Sequence, residues 1–509
     1  VRLDMATFDI LLQHIEHQPE KAITIYEGRE TSYRQLAEKA RRLGSYFRSK
    51  GLNQGDAVAV LLGNTDVFVT CYFACQAAGV SVLPINTRLA PREIEYILNH
   101  SEAKLLVYDQ EFSETVEELL PSLPFLTHFI HVGGESVLRG IDIQQAIDES
   151  EEMPAVVCQG EDTAVIFYTS GTTGRPKGVM LSHDNCEAIA KMWAEAMELT
   201  KFERVLIVAP LFHCAAAHVF MLPTIQAGGT LVIEKGFSPR QTMEALQQHE
   251  ITVFFGVPAM YTLLLNQPDL HALHVPHLRM LTYGAAPMPY ELIKKVKQIF
   301  PQAKVQNLYG QTENAPGATT LKDPHALTKI GSVGQPLPGC EVCIVDDEGF
   351  EVPVGEVGEI AIKGPHVMKG YLKNPEATAL AMRNGWMLSG DLGRMDEEGF
   401  LYIVDRKKDM IIRGGENIYP IEVEEVLFEI PTVLEAAVIG MPHEVYGEVP
   451  KACVVVKEGN TLTEQEVIQF CEKRLARYKV PVQVEFLEAL PRNASGKVLK
   501  TVLREKQGE

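Results

Sequence analysis

Strands and helices alternate through the first third of this chain, and that alternation restricts the fold more than any other feature. The run AVAVLL reads as a buried strand, DVFVTCYFACQAAG as a helix, and VSVLPIN as another strand. Strands buried on both faces and joined by helices pack as a parallel, helix-covered sheet. Upstream, AITIYEGRETSY carries a hairpin signal at Glu27-Gly28-Arg29, and YRQLAEKARRLGSYFRSKG has apolar residues at helical spacing up to Gly51. The unit recurs as RVLIVAP, a helix ending near Gly228, and GTLVIEKG. It continues through VFFGVP, LRMLTYGAAP, a helix near 290–300, and KVQNLYGQTE.

From about Gly331 the texture changes. Short strands between Gly and Pro turns (GCEVCIVDDEG, VGEIAIKGP, GFLYIVDRKKDMII) indicate a smaller, β-rich region. The last hundred residues return to mixed helix and strand. A chain of 509 residues exceeds what one hydrophobic core organises. The expectation is an α/β protein with a large N-terminal domain of helix-covered sheets, a β-rich subdomain, and a small α/β C-terminal domain.

Composition narrows the function classes. The net charge of −20 argues against a nucleic-acid-binding surface, which needs clustered Lys and Arg. A local basic pocket can still hold an anionic ligand in an acidic protein. The nine cysteines are scattered, and Cys340 with Cys343 forms a C-x-x-C without the second pair of a zinc site. Reduced thiols in a cytoplasmic protein are expected. The opening VRLDMATFDILLQHIEHQPE lacks the apolar core of a secretory signal. The uncharged stretch 208–233 is interrupted by Pro210, His213, His218, Pro223 and Gly228-Gly229. It therefore reads as buried strand, loop and helix rather than a transmembrane span, and peripheral membrane contact stays open.

The stretch YTSGTTGRPKG, residues 168–178, has the makings of a phosphate cradle. Gly171 and Gly174 let backbone N–H groups approach phosphate oxygens. Thr169, Ser170, Thr172 and Thr173 add hydroxyl donors, and Lys177 adds a point charge. The spacing matches neither G-x-x-x-x-G-K-[ST] nor G-x-G-x-x-G. A Gly/Thr-rich surface turn is the bland alternative. Other stretches carry matching chemistry. NLYGQTE, ending in Glu313, follows an expected strand, where open α/β sheets bind ligands. Tyr309 can stack on a base, Thr312 can bond a phosphate, and Glu313 can hold Mg2+ through oxygen. Asp391 suits ribose hydroxyls, Arg406 suits phosphate or ribose, and Lys497 sits in PRNASGKVLK. Singly, each has an ordinary reading as a turn cap or a solvated charge.

Together and in this order, these stretches resemble the adenylate-forming superfamily of acyl-CoA synthetases, peptide-synthetase adenylation domains and luciferase-like enzymes. The resemblance runs from TSYRQLA near residue 31 to GKVLK near 500, and leans toward bacterial acyl-CoA ligases of the fatty-acid type. It implies an N-terminal domain, 1–407, that binds ATP and the acyl substrate. It also implies a mobile C-terminal domain, 408–509, turning about a hinge at Lys408. The implied reaction joins a carboxylic acid to coenzyme A through an acyl-adenylate, consuming ATP with Mg2+ and releasing AMP and pyrophosphate.

By the same resemblance, Thr169, Ser170, Gly171, Thr172, Thr173, Gly174 and Lys177 hold the pyrophosphate end of ATP. Gly284, Ala285 and Ala286 line the adenine site, flanked by Asn307, Tyr309 and Gly310. Thr312 touches the α-phosphate and Glu313 binds Mg2+. Asp391 and Arg406 take the ribose. Lys497 acts in adenylation, and Gly414 and Gly415 line the path of the pantetheine chain. His213, in PLFHCAAAHVF, gates or orients the substrate carboxylate or is a core histidine. It stands where amino-acid-activating relatives carry aspartate, which disfavours α-amino acids. His218 reads as structural. Cys214, Ala217, Phe255, Gly256 and Gly284 would line an apolar acyl pocket, and these segments carry no arginine for a second carboxylate. A medium- to long-chain fatty acid is the first expectation. An aryl acid of the cinnamate, benzoate or succinylbenzoate kind, or a stand-alone enzyme that loads a carrier protein, is the alternative.

Overall fold

A computed structural model describes residues 6–134, 140–169, 176–285, 288–407, 409–413, 416–475, 477–493, 496 and 498–505. The chain divides into two compact units, Val1–Val342 with Ile362–Met387 and Cys343–Ala361 with Leu388–Glu509. Lys408, the expected hinge, lies outside the described residues.

The first unit contains two sheets. One runs, neighbour to neighbour, through Lys304–Tyr309, Met280–Gly284, Val253–Gly256, Arg204–Ile207, Thr230–Ile233 and Ala22–Tyr26, all parallel. Arg29–Ser32 closes one end antiparallel, as the second arm of the expected hairpin. Thr319–Leu321 and Ser332–Pro336 extend the other end antiparallel. Leu206, Phe254, Leu281 and Val305 from the strands pack on Leu246, Tyr261, Leu264, Ile293 and Val296 from the crossover helices. These strands are buried on both faces, which is why their sequences read as continuous apolar runs.

The other sheet has the order Gly370–Tyr371, Lys177–Ser182, Thr163–Thr169, Ser81–Pro84, Ala57–Leu61, Leu105–Asp109, His128–Val132, Ile141–Asp142. Ser81–Pro84 pairs parallel with Ala57–Leu61, and Thr163–Thr169 forms an antiparallel hairpin with Lys177–Ser182. Local chemistry places the helices that cover it. Ser32 accepts the Gln35 N–H while Gln35 Oε1 accepts the Ser32 N–H, and this reciprocal cap starts Tyr33–Ser49. Thr65 caps Asp66–Ala78, which ends at Gly79 in the left-handed region at φ +70°.

The uncharged stretch 208–233 contains a π-helical turn, Ala215–Met221, the helix Leu222–Gln226 and the strand Thr230–Ile233. No helix among the described residues is long and apolar enough to cross a membrane.

In the second unit, Val433–His443 and Gly447–Val456 form a long antiparallel pair, with Gln483–Phe486 parallel to the latter. The helices Pro420–Phe428 and Glu464–Glu472 cover this sheet. Val423, Leu427, Val467 and Cys471 pack there on Val438 and Val454.

Candidate active site

The first unit brings separate sequence motifs to one edge of a sheet. Phe255 and Gly256 end one strand, Tyr283 and Gly284 end the next, and Asn307 and Tyr309 end the third. The chain reaches His213 six residues beyond the end of Arg204–Ile207. Because these strands are parallel neighbours, their C-terminal ends share an edge, the place where open α/β sheets bind ligands.

Backbone spacing there is tight. Gly284 pairs in register with Leu308, and a Cβ on Gly284 would lie 2.4 Å from the Leu308 carbonyl oxygen. A Cβ on Gly310 would lie 2.5 Å from the Gly317 nitrogen and 2.7 Å from the Pro316 carbonyl carbon. Ala285 sits in the left-handed region at φ +64°, unusual for a residue with a side chain and characteristic of ligand clamps. Asn307 is buried, and its Oδ1 accepts no hydrogen bond from the described residues. A buried amide oxygen without a donor is suited to an exocyclic amine such as that of adenine.

Beyond Gly310, Thr312–Asn314 forms a short 3₁₀ turn. The Asn314 side chain holds it, accepting N–H groups of Gln311 and Gly317 at 2.8 Å each. This fixes the backbone on either side of Thr312 and Glu313. Glu313 Oε1 accepts the Tyr371 hydroxyl at 2.8 Å, and its carbonyl accepts the Met368 N–H at 2.9 Å. Hard carboxylate oxygen suits Mg2+, which takes one or two carboxylates and completes its shell with phosphate and water. The site's chemistry therefore fits that ion. Lys177 enters from the other sheet, in register with Thr169, and its Nζ lies 4.4 Å from the centre of the Tyr371 ring.

His213 is neutral in this setting. Burial pulls its pKa down to about 4, and the nearby Arg88 charge pushes the same way. Its Nε2 is buried with no partner among the described residues. The Cys214 thiol is held well above its usual range by burial, with the charges of Cys186 and Glu313 adding to the effect. His218 is a core residue. Its Nε2 meets the Tyr72 hydroxyl at 2.8 Å, and its ring lies edge-on to Tyr72 and Phe167. Ala217 is fully buried, and Phe220 stacks obliquely on Phe255 with ring centres 4.9 Å apart.

In the second unit, Asp391 and Arg406 face each other across the strand pair Trp386–Met395 and Leu401–Arg406, with Arg406 Nε 3.8 Å from Asp391 Oδ1. The adjacent Asp405 is pushed up to about 6 by burial. The Lys500 charge and the N–H donors of Ile421 and Arg406 oppose that rise. Asp405 thereby ties the strand to the start of helix Pro420–Phe428.

Ser170, Gly171, Thr172, Thr173, Gly174, Ala286, Lys408, Gly414, Gly415 and Lys497 lie outside the described residues. Tyr371, Asn314 and Arg88 were not singled out from sequence. Asn314 had a local signal, an Asn in a turn after a strand. Tyr371 and Arg88 had none, since each reaches the site from a segment distant in the chain.

The chain is similar over nearly its whole length to proteins of one family. Residues 11–372 match the AMP-binding enzyme family, and residues 422–497 match the AMP-binding enzyme C-terminal domain. The feruloyl-CoA synthase of Amycolatopsis sp is 39% identical over 490 residues, 96% of either chain. The long-chain-fatty-acid–CoA ligase FadD13 of Mycobacterium tuberculosis is 38% identical over 477 residues, 93% of this chain and 92% of the relative. The structure of o-succinylbenzoate coenzyme A synthetase (MenE) from Bacillus subtilis, in complex with ATP and magnesium ion, superposes with a TM-score of 0.87 at 33% identity. It covers 98% of this chain and 99% of its own.

Proposed function

This chain belongs to the AMP-binding enzyme family and is an AMP-forming acid–CoA ligase, and on that premise we propose that its acid is a compact aryl monocarboxylic acid. The observation that carries this reading is the aromatic packing around the turn Ala215–Met221, next to the expected acyl-pocket residues. Phe220 packs obliquely on Phe255, the residue before Gly256, and His218 packs edge-on to Tyr72 and Phe167. Aromatic surroundings of this kind suit a flat ring. A medium- to long-chain fatty acid is the second reading, favoured by the similarity to FadD13 and by the small Cys214 and Ala217.

In this reading the buried Asn307 oxygen and the Gly284–Ala285 turn hold adenine, beside Tyr309 and Gly310. Thr169 and Lys177 begin and end the pyrophosphate loop, Thr312 meets the α-phosphate, and Asp391 and Arg406 take the ribose. Neutral His213 presents an N–H to the substrate carboxylate, and Arg88 favours the same anion. Glu313 would hold Mg2+, which neutralises phosphate charge where two anions must meet. Lys497 serves the adenylation half-reaction. Rotation about Lys408 then brings Gly414 and Gly415 to the pantetheine thiol for the thioester half-reaction.

The test is pyrophosphate release over ferulate, cinnamate, benzoate, succinylbenzoate and fatty acids of graded length, with thioester detected by mass spectrometry. The expected result is the highest kcat/KM with ferulate, cinnamate or benzoate and free CoA as acceptor, and succinylbenzoate leading overturns the monocarboxylic reading. A fatty acid leading by tenfold replaces the first reading with the second. Transfer only to a phosphopantetheinyl carrier protein overturns the proposed acceptor.

A further inference from the structure

Tyr371 touches both ends of the site at once. Its hydroxyl donates to Glu313 Oε1 at 2.8 Å, and its ring lies under the Lys177 ammonium at 4.4 Å. These three residues come from three distant segments. Tyr371 belongs to the edge strand Gly370–Tyr371, which pairs with Lys177–Ser182 through Gly370 to Met180 and Tyr371 to Val179. Bonds on both sides fix this short strand. The Lys369 N–H donates to the Met180 carbonyl at 3.0 Å and the Leu372 N–H to the Gly178 carbonyl at 2.7 Å. The Tyr371 N–H is itself held by Thr378 Oγ1 at 2.9 Å.

The chemistry of the contact has one direction. A phenol has an O–H to give and a carboxylate oxygen accepts, so the hydroxyl is the donor and Glu313 the acceptor. One Glu313 oxygen is thereby fixed, which sets the orientation of the other. The ring face meanwhile offers Lys177 a cation–π contact that restrains its flexible stem.

Resting on the reading of Glu313 as the metal carboxylate and Lys177 as a pyrophosphate ligand, we infer that Tyr371 is a positioning residue coupling the two. It holds Glu313 for the divalent ion and Lys177 for the polyphosphate, so that the metal and phosphate sites form together. Such outer partners of metal ligands commonly govern affinity by tenfold or more.

The two contacts separate by substitution. Tyr371→Phe keeps the ring under Lys177 and removes the donor to Glu313. Tyr371→Leu removes both. The probe is Mn2+ binding measured by electron paramagnetic resonance in the presence of α,β-methylene-ATP, with Glu313→Gln as the reference variant. Tyr371→Phe is expected to weaken Mn2+ binding about tenfold, and to leave the KM for pyrophosphate in ATP–pyrophosphate exchange at saturating metal near wild type. Tyr371→Leu is expected to raise that KM several-fold in addition. Mn2+ affinity of Tyr371→Phe within twofold of wild type, while Glu313→Gln binds poorly, overturns the positioning role. Unchanged affinity in Glu313→Gln overturns the underlying metal assignment instead. Urea unfolding of each variant, followed by tryptophan fluorescence, separates either result from loss of fold.

Discussion

His183 makes the first unit acid-sensitive by a route that can be followed atom by atom. Its Nδ1 accepts the Thr7 backbone N–H at 3.1 Å and meets the Thr7 hydroxyl at 2.9 Å. The amide has only a proton to offer, so Nδ1 must carry a lone pair, and protonation would set two N–H groups against each other. Burial depresses the pKa from 6.5 to about 4, with Asp162 opposing and Lys369 reinforcing the fall. A histidine lowered in the folded state contributes stability that is fully present above its unfolded value. That stability is lost as pH falls through 6.5 toward about 4. Two-state linkage with those values gives a loss of about 1.8 kcal/mol between about pH 7 and about pH 5. The perturbation is His183→Asn, which keeps an acceptor oxygen for Thr7 and does not titrate. Both tryptophans, Trp193 and Trp386, lie in the first unit, so their fluorescence during urea unfolding reports on it. The expected outcome is a variant somewhat less stable at neutral pH, whose drop on acidification is smaller than that of wild type by about 1.8 kcal/mol. An unchanged pH slope, or a His183 resonance titrating near its ordinary value by NMR, would refute the reasoning.

Two further outcomes test the site. Gly310→Ala places a methyl group 2.5 Å from the Gly317 nitrogen and must displace backbone. It is expected to cost about 1–3 kcal/mol of stability in urea and to reduce ATP–pyrophosphate exchange more than tenfold. Lys497→Ala is expected to abolish acyl-adenylate formation while retaining much of the thioester formation from supplied acyl-AMP, measured by mass spectrometry. Equal loss in both half-reactions would contradict the assignment of Lys497 to adenylation.

Features set by neighbours in sequence were legible before the fold was known. The hairpin at Glu27-Gly28-Arg29 and the helix that runs out at Gly51 depend on a few adjacent residues. The apolar runs announced parallel strands because those strands are buried on both faces. Strand order was not legible. Ala22–Tyr26 joins the sheet beside Thr230–Ile233, two hundred residues on, through packing that no local pattern encodes. The site shows the same division. NLYGQTE declared its chemistry by composition, whereas Arg88 near His213 and Tyr371 against Glu313 carry no signal in their own segments.

The amino-acid sequence alone determined the α/β class, the resemblance to adenylate-forming enzymes and the residue types available for nucleotide chemistry. These rest on short motifs and on hydrophobic period, which are properties of contiguous chain. Tertiary structure decided which side chains are neutral, which are unpartnered and which meet. It left His213 Nε2 and His218 Nδ1 buried without a partner among the described residues, and set the other nitrogen of His218 against the Tyr72 hydroxyl in the core. It also put Tyr371 against both Glu313 and Lys177, its hydroxyl on the Glu313 carboxylate and its ring under the Lys177 ammonium. Those outcomes depend on desolvation and on distances of a few ångströms between residues far apart in the chain, and only the folded chain sets them.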